Sequence, residues 1–160
     1  MKIVMGADCL IKITKAGLKE DVCSAFDITI PHLVKEEIVD RGKVKKLPDA
    51  LVIERNIREK LIQVDKKREQ SIDVGEKEAM ALFQNGGYDA IGSDDKRFVK
   101  QLRLFNIPYV TPAVFITIML KQGDIKAAYA EERLLALSEF ISESEYFAVK
   151  LFMEQWRSGK

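Results

Sequence analysis

Met1-Lys2-Ile3-Val4-Met5-Gly6-Ala7-Asp8-Cys9-Leu10-Ile11 begins with a short apolar run that has no helical period. A glycine follows, and then an acid at the head of a second apolar segment. An apolar run of four or five residues suits a strand covered by helices on both faces, as in a parallel sheet. Asp8 therefore falls where a strand hands over to a helix. The same grammar recurs along the chain. Strands are expected at residues 2–6, 27–30, 61–64, 90–93 and 108–110, and helices at 9–16, 19–26, 32–41, 49–60, 75–85, 95–105, 112–121, 125–137 and 143–156. Strands alternating with helices define an α/β chain whose central parallel sheet is flanked by helices.

Punctuation supports these breaks. Asn85-Gly86-Gly87 ends a helix through a left-handed residue, Thr111-Pro112 is a cap followed by a first-turn proline, and Gly123-Asp124 separates two helices. The polar stretch 65–73 reads as a loop. At 160 residues and 47% apolar, the chain suits one domain with a real core and excludes a disordered tail. Cys9 and Cys23 sit in apolar stretches without metal-ligand spacing, so they read as reduced core residues of a cytoplasmic protein rather than a disulfide or zinc framework. No signal peptide pattern or membrane span is expected, because no apolar run approaches ~18 residues.

Charge is unevenly placed. From Arg41 to Arg68 there are ten Lys or Arg against four Asp or Glu, a local excess of six on a chain whose formal net charge is +1. Such a block attracts phosphate backbones, although a charged run on a helix is also the ordinary state of a solvated face.

Four acidic positions stand out beside that block. Asp8 and Ser93-Asp94-Asp95 follow expected strands, Glu37 lies in Pro31-His32-Leu33-Val34-Lys35-Glu36-Glu37-Ile38, and Glu76 opens Gly75-Glu76-Lys77-Glu78-Ala79-Met80. A helix turns about 100° per residue, so i, i+3, i+4 and i+7 share a face. By that count Glu76 lies on the apolar stripe Ala79, Met80, Phe83, with Glu78 at its edge. Glu37 joins Val34 and Ile38 while Glu36 points away, and Asp95 joins Phe98, Val99 and Leu102. Asp94 is then a cap or a further ligand. Carboxylates gathered inside a protein repel and raise one another's pKa unless a hard cation neutralises them, and Mg²⁺ or Mn²⁺ suits oxygen donors. Taken singly, each acid has an ordinary alternative: Asp8 and Asp94 as N-caps, Glu76 answering a helix dipole, Glu37 paired with Arg41. The lone His32 starts a helix beside Pro31 and reads as structural.

With these residues in place the chain resembles a PIN domain, a metal-dependent ribonuclease fold. The likeness rests on Ala7-Asp8-Cys9-Leu10-Ile11, Ile30 to Ile38, Gly75-Glu76-Lys77-Glu78-Ala79-Met80-Ala81-Leu82, Ser93 to Phe98 and Thr111-Pro112-Ala113, and spans residues 1–123. Residues 124–160 are expected as a C-terminal helical extension packed on the same domain. The resemblance implies a three-layer fold and an acidic pocket for one or two Mg²⁺ or Mn²⁺ ions. Its helix acids match Glu37 and Glu76, and the acid after its later strand matches Asp95, with Asp94 beside it. In one position the chain departs from the pattern: aligned through Leu10-Ile11, the usual first metal ligand is Gly6, and Asp8 stands two residues on.

What the resemblance implies in function is a metal-dependent endoribonuclease, whether a toxin of a toxin–antitoxin pair or an RNA-processing enzyme. Asp8, Glu37, Glu76 and Asp95 are the expected catalytic residues, and these four with Asp94 the expected metal set. Lys43, Lys45, Lys46, Lys66, Lys67, Arg68, Lys96 and Arg97 are expected to hold RNA phosphates. An antitoxin helix or a second copy of the chain is an expected partner for surplus apolar surface after Gly123. The rival reading, motivated by Gly6, is a non-catalytic module that keeps the fold and binds RNA or protein.

Overall fold

The computed structural model describes residues 1–67 and 74–159. Strands β1 (Lys2–Met5), β2 (Asp27–Ile30), β3 (Ile62–Val64), β4 (Ala90–Gly92) and β5 (Tyr109–Val110) form one sheet in the order β3-β2-β1-β4-β5, every pairing parallel. Alternation within β1 sends Ile3 and Met5 to one face and Val4 to the other. Both faces are covered, which explains why the strand is apolar throughout.

The larger core lies over Ile3 and Met5. It takes Cys9, Leu10 and Ile13 from α1 (Ala7–Lys15), Val22 from α2 (Lys19–Ala25), Ile53 from α5 (Pro48–Arg58) and Phe115, Ile116 and Met119 from α8 (Pro112–Gln122). Helices α9 (Ala127–Leu137) and α10 (Glu143–Ser158) add Ala130, Leu134, Leu137, Val149 and Met153 to that same core. The smaller core packs Val4 and Ile91 against Ala79 of α6 (Gly75–Gln84) and Phe98 and Leu102 of α7 (Lys96–Leu104). The sheet thus lies between two helical layers, the three-layer arrangement expected of a PIN-like fold.

Sheet order sets where a site can form. The chain steps outward from β1 to β2 to β3, then returns to the other side of β1 for β4 and β5. Consequently α1, which leaves β1, and α7, which leaves β4, cover opposite faces of the sheet. A crevice opens between them at the carboxyl ends of β1 and β4, where open α/β sheets place their ligands.

Two expectations change in detail. The first strand stops at Met5 because only one side of Gly6 stays in the ladder: its N–H makes the last bond to β4, to the Gly92 carbonyl at 2.9 Å, while its own carbonyl accepts from Leu10 N–H and starts α1. The single helix expected at 32–41 is α3 (His32–Lys35), a π-helical turn (Glu36–Asp40) and α4 (Arg41–Val44) in succession. The wider turn lets the adjacent Ile38 and Val39 both be buried, which one apolar stripe at the α period does not provide. Among the described residues, no helix is long and apolar enough to cross a membrane.

Candidate functional site

The crevice holds a hollow of about 230 Å³ whose polar wall is Asp8, Glu37, Glu76, Ser93 and Asp95. Each acid arrives on a different element. Asp8 stands in the first turn of α1, Glu37 in the π-helical turn, Glu76 in the first turn of α6, and Asp95 is the N-cap of α7. The apolar lining is Cys9, Val34, Ala79 and Phe98, and the backbone of Gly6 and Gly75 completes it. A Cβ on Gly75 would lie 3.2 Å from Val34 Cγ2, so α6 and α3 approach closely and carry Glu76 and Glu37 onto one wall.

Local chemistry explains why acids tolerate this place. The N-termini of α1, α6 and α7 all border the hollow, and their unpaired amides favour negative charge. Asp95 uses Oδ1 to accept from Phe98 N–H at 2.8 Å, and its own N–H meets Ser93 Oγ at 3.3 Å. That cap fixes the carboxylate. Glu76 feels its neighbours: partial burial raises its pKa first, and the charges of Asp95, Asp8 and Glu37 raise it further against the opposing pull of Arg97. The other three acids thus add to the cost of a charge on Glu76.

The donor set is oxygen only, which fits a hard divalent cation rather than zinc. Among the described residues, no three His, Cys, Asp or Glu side chains close on a single point as a ready-made cage. Magnesium accepts such an arrangement, because it binds through one or two carboxylates and retains several waters. Cys9 contributes no ligand, since complete burial pushes its thiol far above the ordinary range and keeps it protonated.

A parallel α/β sheet with acids assembled at its switch point is suited to a divalent cation. A family model described as a PIN domain matches residues 2–155, so the chain belongs to the PIN-domain family. The matched span includes α9 and most of α10. No curated protein and no solved structure matches the chain. PIN domains generally depend on a divalent metal.

Not every expected site residue joins the hollow. Asp94, expected as a cap or ligand beside Asp95, lies outside it: Oδ2 makes a 2.6 Å ion pair with Lys12, and the N-cap is Asp95 instead. The reason is the extended backbone at Asp95, which turns consecutive side chains to opposite sides. The face count on α6 also needs correction. Glu76 is exposed at the mouth, whereas Glu78, expected at the stripe's edge, is only 4% exposed and accepts from Leu33 N–H at 2.8 Å. It caps α3. Glu36 faces His32 at 3.3 Å, away from the hollow.

The basic residues divide similarly. Lys96 and Arg97 are exposed on the first turn of α7, beside Asp95. Lys66 and Lys67 are exposed just past β3, on the same carboxyl edge of the sheet. Lys43 is engaged with Glu54 at 2.8 Å, while Lys45 and Lys46 are exposed after α4. Arg68 and most of the loop expected at 65–73 lie outside the described residues. Sequence reasoning missed the structural roles of Glu78, which caps α3, of Lys12, which pairs with Asp94, and of Glu145, which accepts from Ala113 N–H at 3.0 Å and ties α10 to α8. As single charged residues on amphipathic helices they carry no signal that names a distant partner.

Proposed function

We propose that the protein is a metal-dependent endoribonuclease that hydrolyses RNA phosphodiester bonds. The observation that carries this reading is the shared wall of Asp8, Glu37, Glu76 and Asp95 at the switch point of the sheet, where burial and then the neighbouring acids raise Glu76. Mg²⁺ or Mn²⁺, if held there, would supply positive charge to the scissile phosphate and make a bound water more acidic.

The chain's own residues do the rest. Asp8 and Asp95 would hold the cation, Asp95 from a position fixed by its cap on α7. Glu37 and Glu76 would act through water, and Glu76, whose carboxyl is held above the usual carboxylate range by burial and then by its acidic neighbours, is suited to receive a proton from a water at the scissile phosphate. Lys96, Arg97, Lys66 and Lys67 take the phosphates flanking the cut, with Lys43, Lys45 and Lys46 further along the strand. Phosphate contacts of this kind position RNA without reading its bases.

A second reading has one observation on its side. Gly6 lines the hollow where the resemblance expects the first ligand, and a Cβ there would come within 3.0 Å of the Gly92 carbonyl. Under that reading the domain binds RNA without cutting it. Cleavage of RNA with Mn²⁺, and its loss with EDTA, separates the two. Either reading leaves room for a toxin with a protein inhibitor: Leu135, Phe147 and Leu151 are exposed on α9 and α10, apolar surface suited to an antitoxin helix or a second copy of the chain.

A further inference from the structure

Lys12 and Asp94 are distant in sequence and meet behind the acidic hollow. Lys12 Nζ donates to Asp94 Oδ2 at 2.6 Å, and among the described residues the Asp94 side chain has no other hydrogen-bond or ion-pair partner. The carboxylate is 9% exposed and the lysine side chain 27% exposed, so the pair is largely shielded from solvent.

The two ends of this pair are attached to the cation site. Lys12 follows Asp8 by four residues on α1, one turn further along the same face. Asp94 precedes Asp95 directly, and the extended backbone at Asp95 turns the Asp94 side chain away from the hollow. The ion pair therefore joins the helix that carries Asp8 to the turn that carries Asp95. Other contacts leave that joint open. Helices α1 and α7 contribute to different cores on opposite faces of the sheet. The ladder between β1 and β4 makes its last bond from Gly6 N–H to the Gly92 carbonyl, and both acids lie beyond it. The cap on Phe98 N–H fixes Asp95 relative to α7 and makes no reference to α1.

The energetics agree with a role in placement. A buried ion pair adds little net stability over apolar packing of the same size, and its best-attested use is to fix the register of two elements. Lys12 also restrains a second acid. Burial raises the Glu145 carboxyl, Asp94 raises it further, and Lys12 opposes both.

We infer that Lys12 is a positioning residue for the cation site, holding Asp8 and Asp95 at a fixed separation through its grip on Asp94. The inference rests on the nuclease reading for the cation, and it gives Asp94 a part in the site other than ligation. Groups that orient metal ligands from behind change metal affinity by about 10–100-fold when removed.

The test titrates Mn²⁺ alone into the whole protein by calorimetry, for wild type, Lys12→Met, Lys12→Arg, Asp94→Ala and the double variant Lys12→Met with Asp94→Ala. Lys12→Met and Asp94→Ala are each expected to weaken binding about tenfold, and the double variant also about tenfold rather than about a hundredfold, because the same link is lost in all three. Lys12→Arg keeps a cationic donor and is expected to stay closer to wild type than Lys12→Met. Charge acting through space predicts another pattern: loss of Lys12 tightens binding, loss of Asp94 weakens it, and the double variant matches wild type. Lys12→Met leaves Asp94 facing Glu145 and is the variant most exposed to misfolding. The double variant lacks that repulsion and decides the matter if the single one does not fold. Tighter binding by Lys12→Met, wild-type affinity in the double variant, or additive losses overturns the inference. Mn²⁺ binding by wild type with every variant indifferent, even if their melting temperatures fall, sinks the positioning role and spares the nuclease reading. No Mn²⁺ binding by wild type sinks both.

Discussion

Asp94 and Asp95 are adjacent in the chain yet serve opposite sides of one turn. Asp95 caps α7 and faces the four-acid hollow, while Asp94 is paired with Lys12 at 2.6 Å on the far side. A strand end with extended backbone makes this split, and the two sides acquire different chemistry from it. One gathers carboxylates with room for a cation; the other balances a carboxylate with an ammonium group.

Burial and, after it, repulsion within the first hollow predict a stability effect at Glu76. Its carboxyl holds its proton to higher pH in the folded chain than in the unfolded one, so between those two points folding takes up protons and stability falls as pH rises. Glu76→Gln removes that loss. In EDTA at pH 7–8 the variant is expected to melt slightly higher than wild type, by at most ~0.5 kcal/mol because Glu76 is exposed and screened. Below pH 4 the difference disappears, and adding Mg²⁺ reverses it, since wild type then gains the ligand. Thermal melts across pH, with and without Mg²⁺, check all three.

Much of the fold is legible from the residues, because apolar runs such as Ile3-Val4-Met5 belong to a sheet covered on both faces and short loops leave few ways to connect it. What escapes a single-helix count is the third partner of an element. On α6 the stripe Ala79, Met80, Phe83 predicts the face toward the sheet, but α6 also packs on α3, and that contact buries Glu78. The π-helical turn after α3 is hidden for the same reason. Glu37 reaches the hollow through it, and the residues of a π turn resemble those of any α-helix.

Glu78 is therefore a structural acid with a functional consequence. Glu78→Ala leaves the Leu33 N–H without its acceptor and is expected to cost about 1–3 kcal/mol. Because α3 leads into the turn that carries Glu37, metal affinity should fall as well. Urea denaturation measures the first effect and Mn²⁺ titration calorimetry the second. A stable variant with unchanged Mn²⁺ affinity contradicts the link.

Gly6 offers the opposite experiment. Its Cβ would sit 3.0 Å from the Gly92 carbonyl, the group its own N–H bonds, so β1 and β4 must separate by a few tenths of an ångström to admit one. Gly6→Ala is expected to lose about 1 kcal/mol. Gly6→Asp should lose at least as much without metal but bind Mn²⁺ more tightly than wild type, because it adds a carboxylate at the end of β1. Melting curves in EDTA and in Mn²⁺ distinguish the two substitutions.

The most direct measurement is cleavage of a labelled RNA by wild type, Asp8→Asn and Glu37→Gln, each with Mn²⁺, with Mg²⁺ and with excess EDTA. If the four carboxylates act together on a cation, wild type cuts only with metal, and each substitution lowers the rate by ~100-fold or more while circular dichroism is unchanged. Cutting that survives EDTA, or that both substitutions leave intact, contradicts a metal-dependent site built on Asp8, Glu37, Glu76 and Asp95.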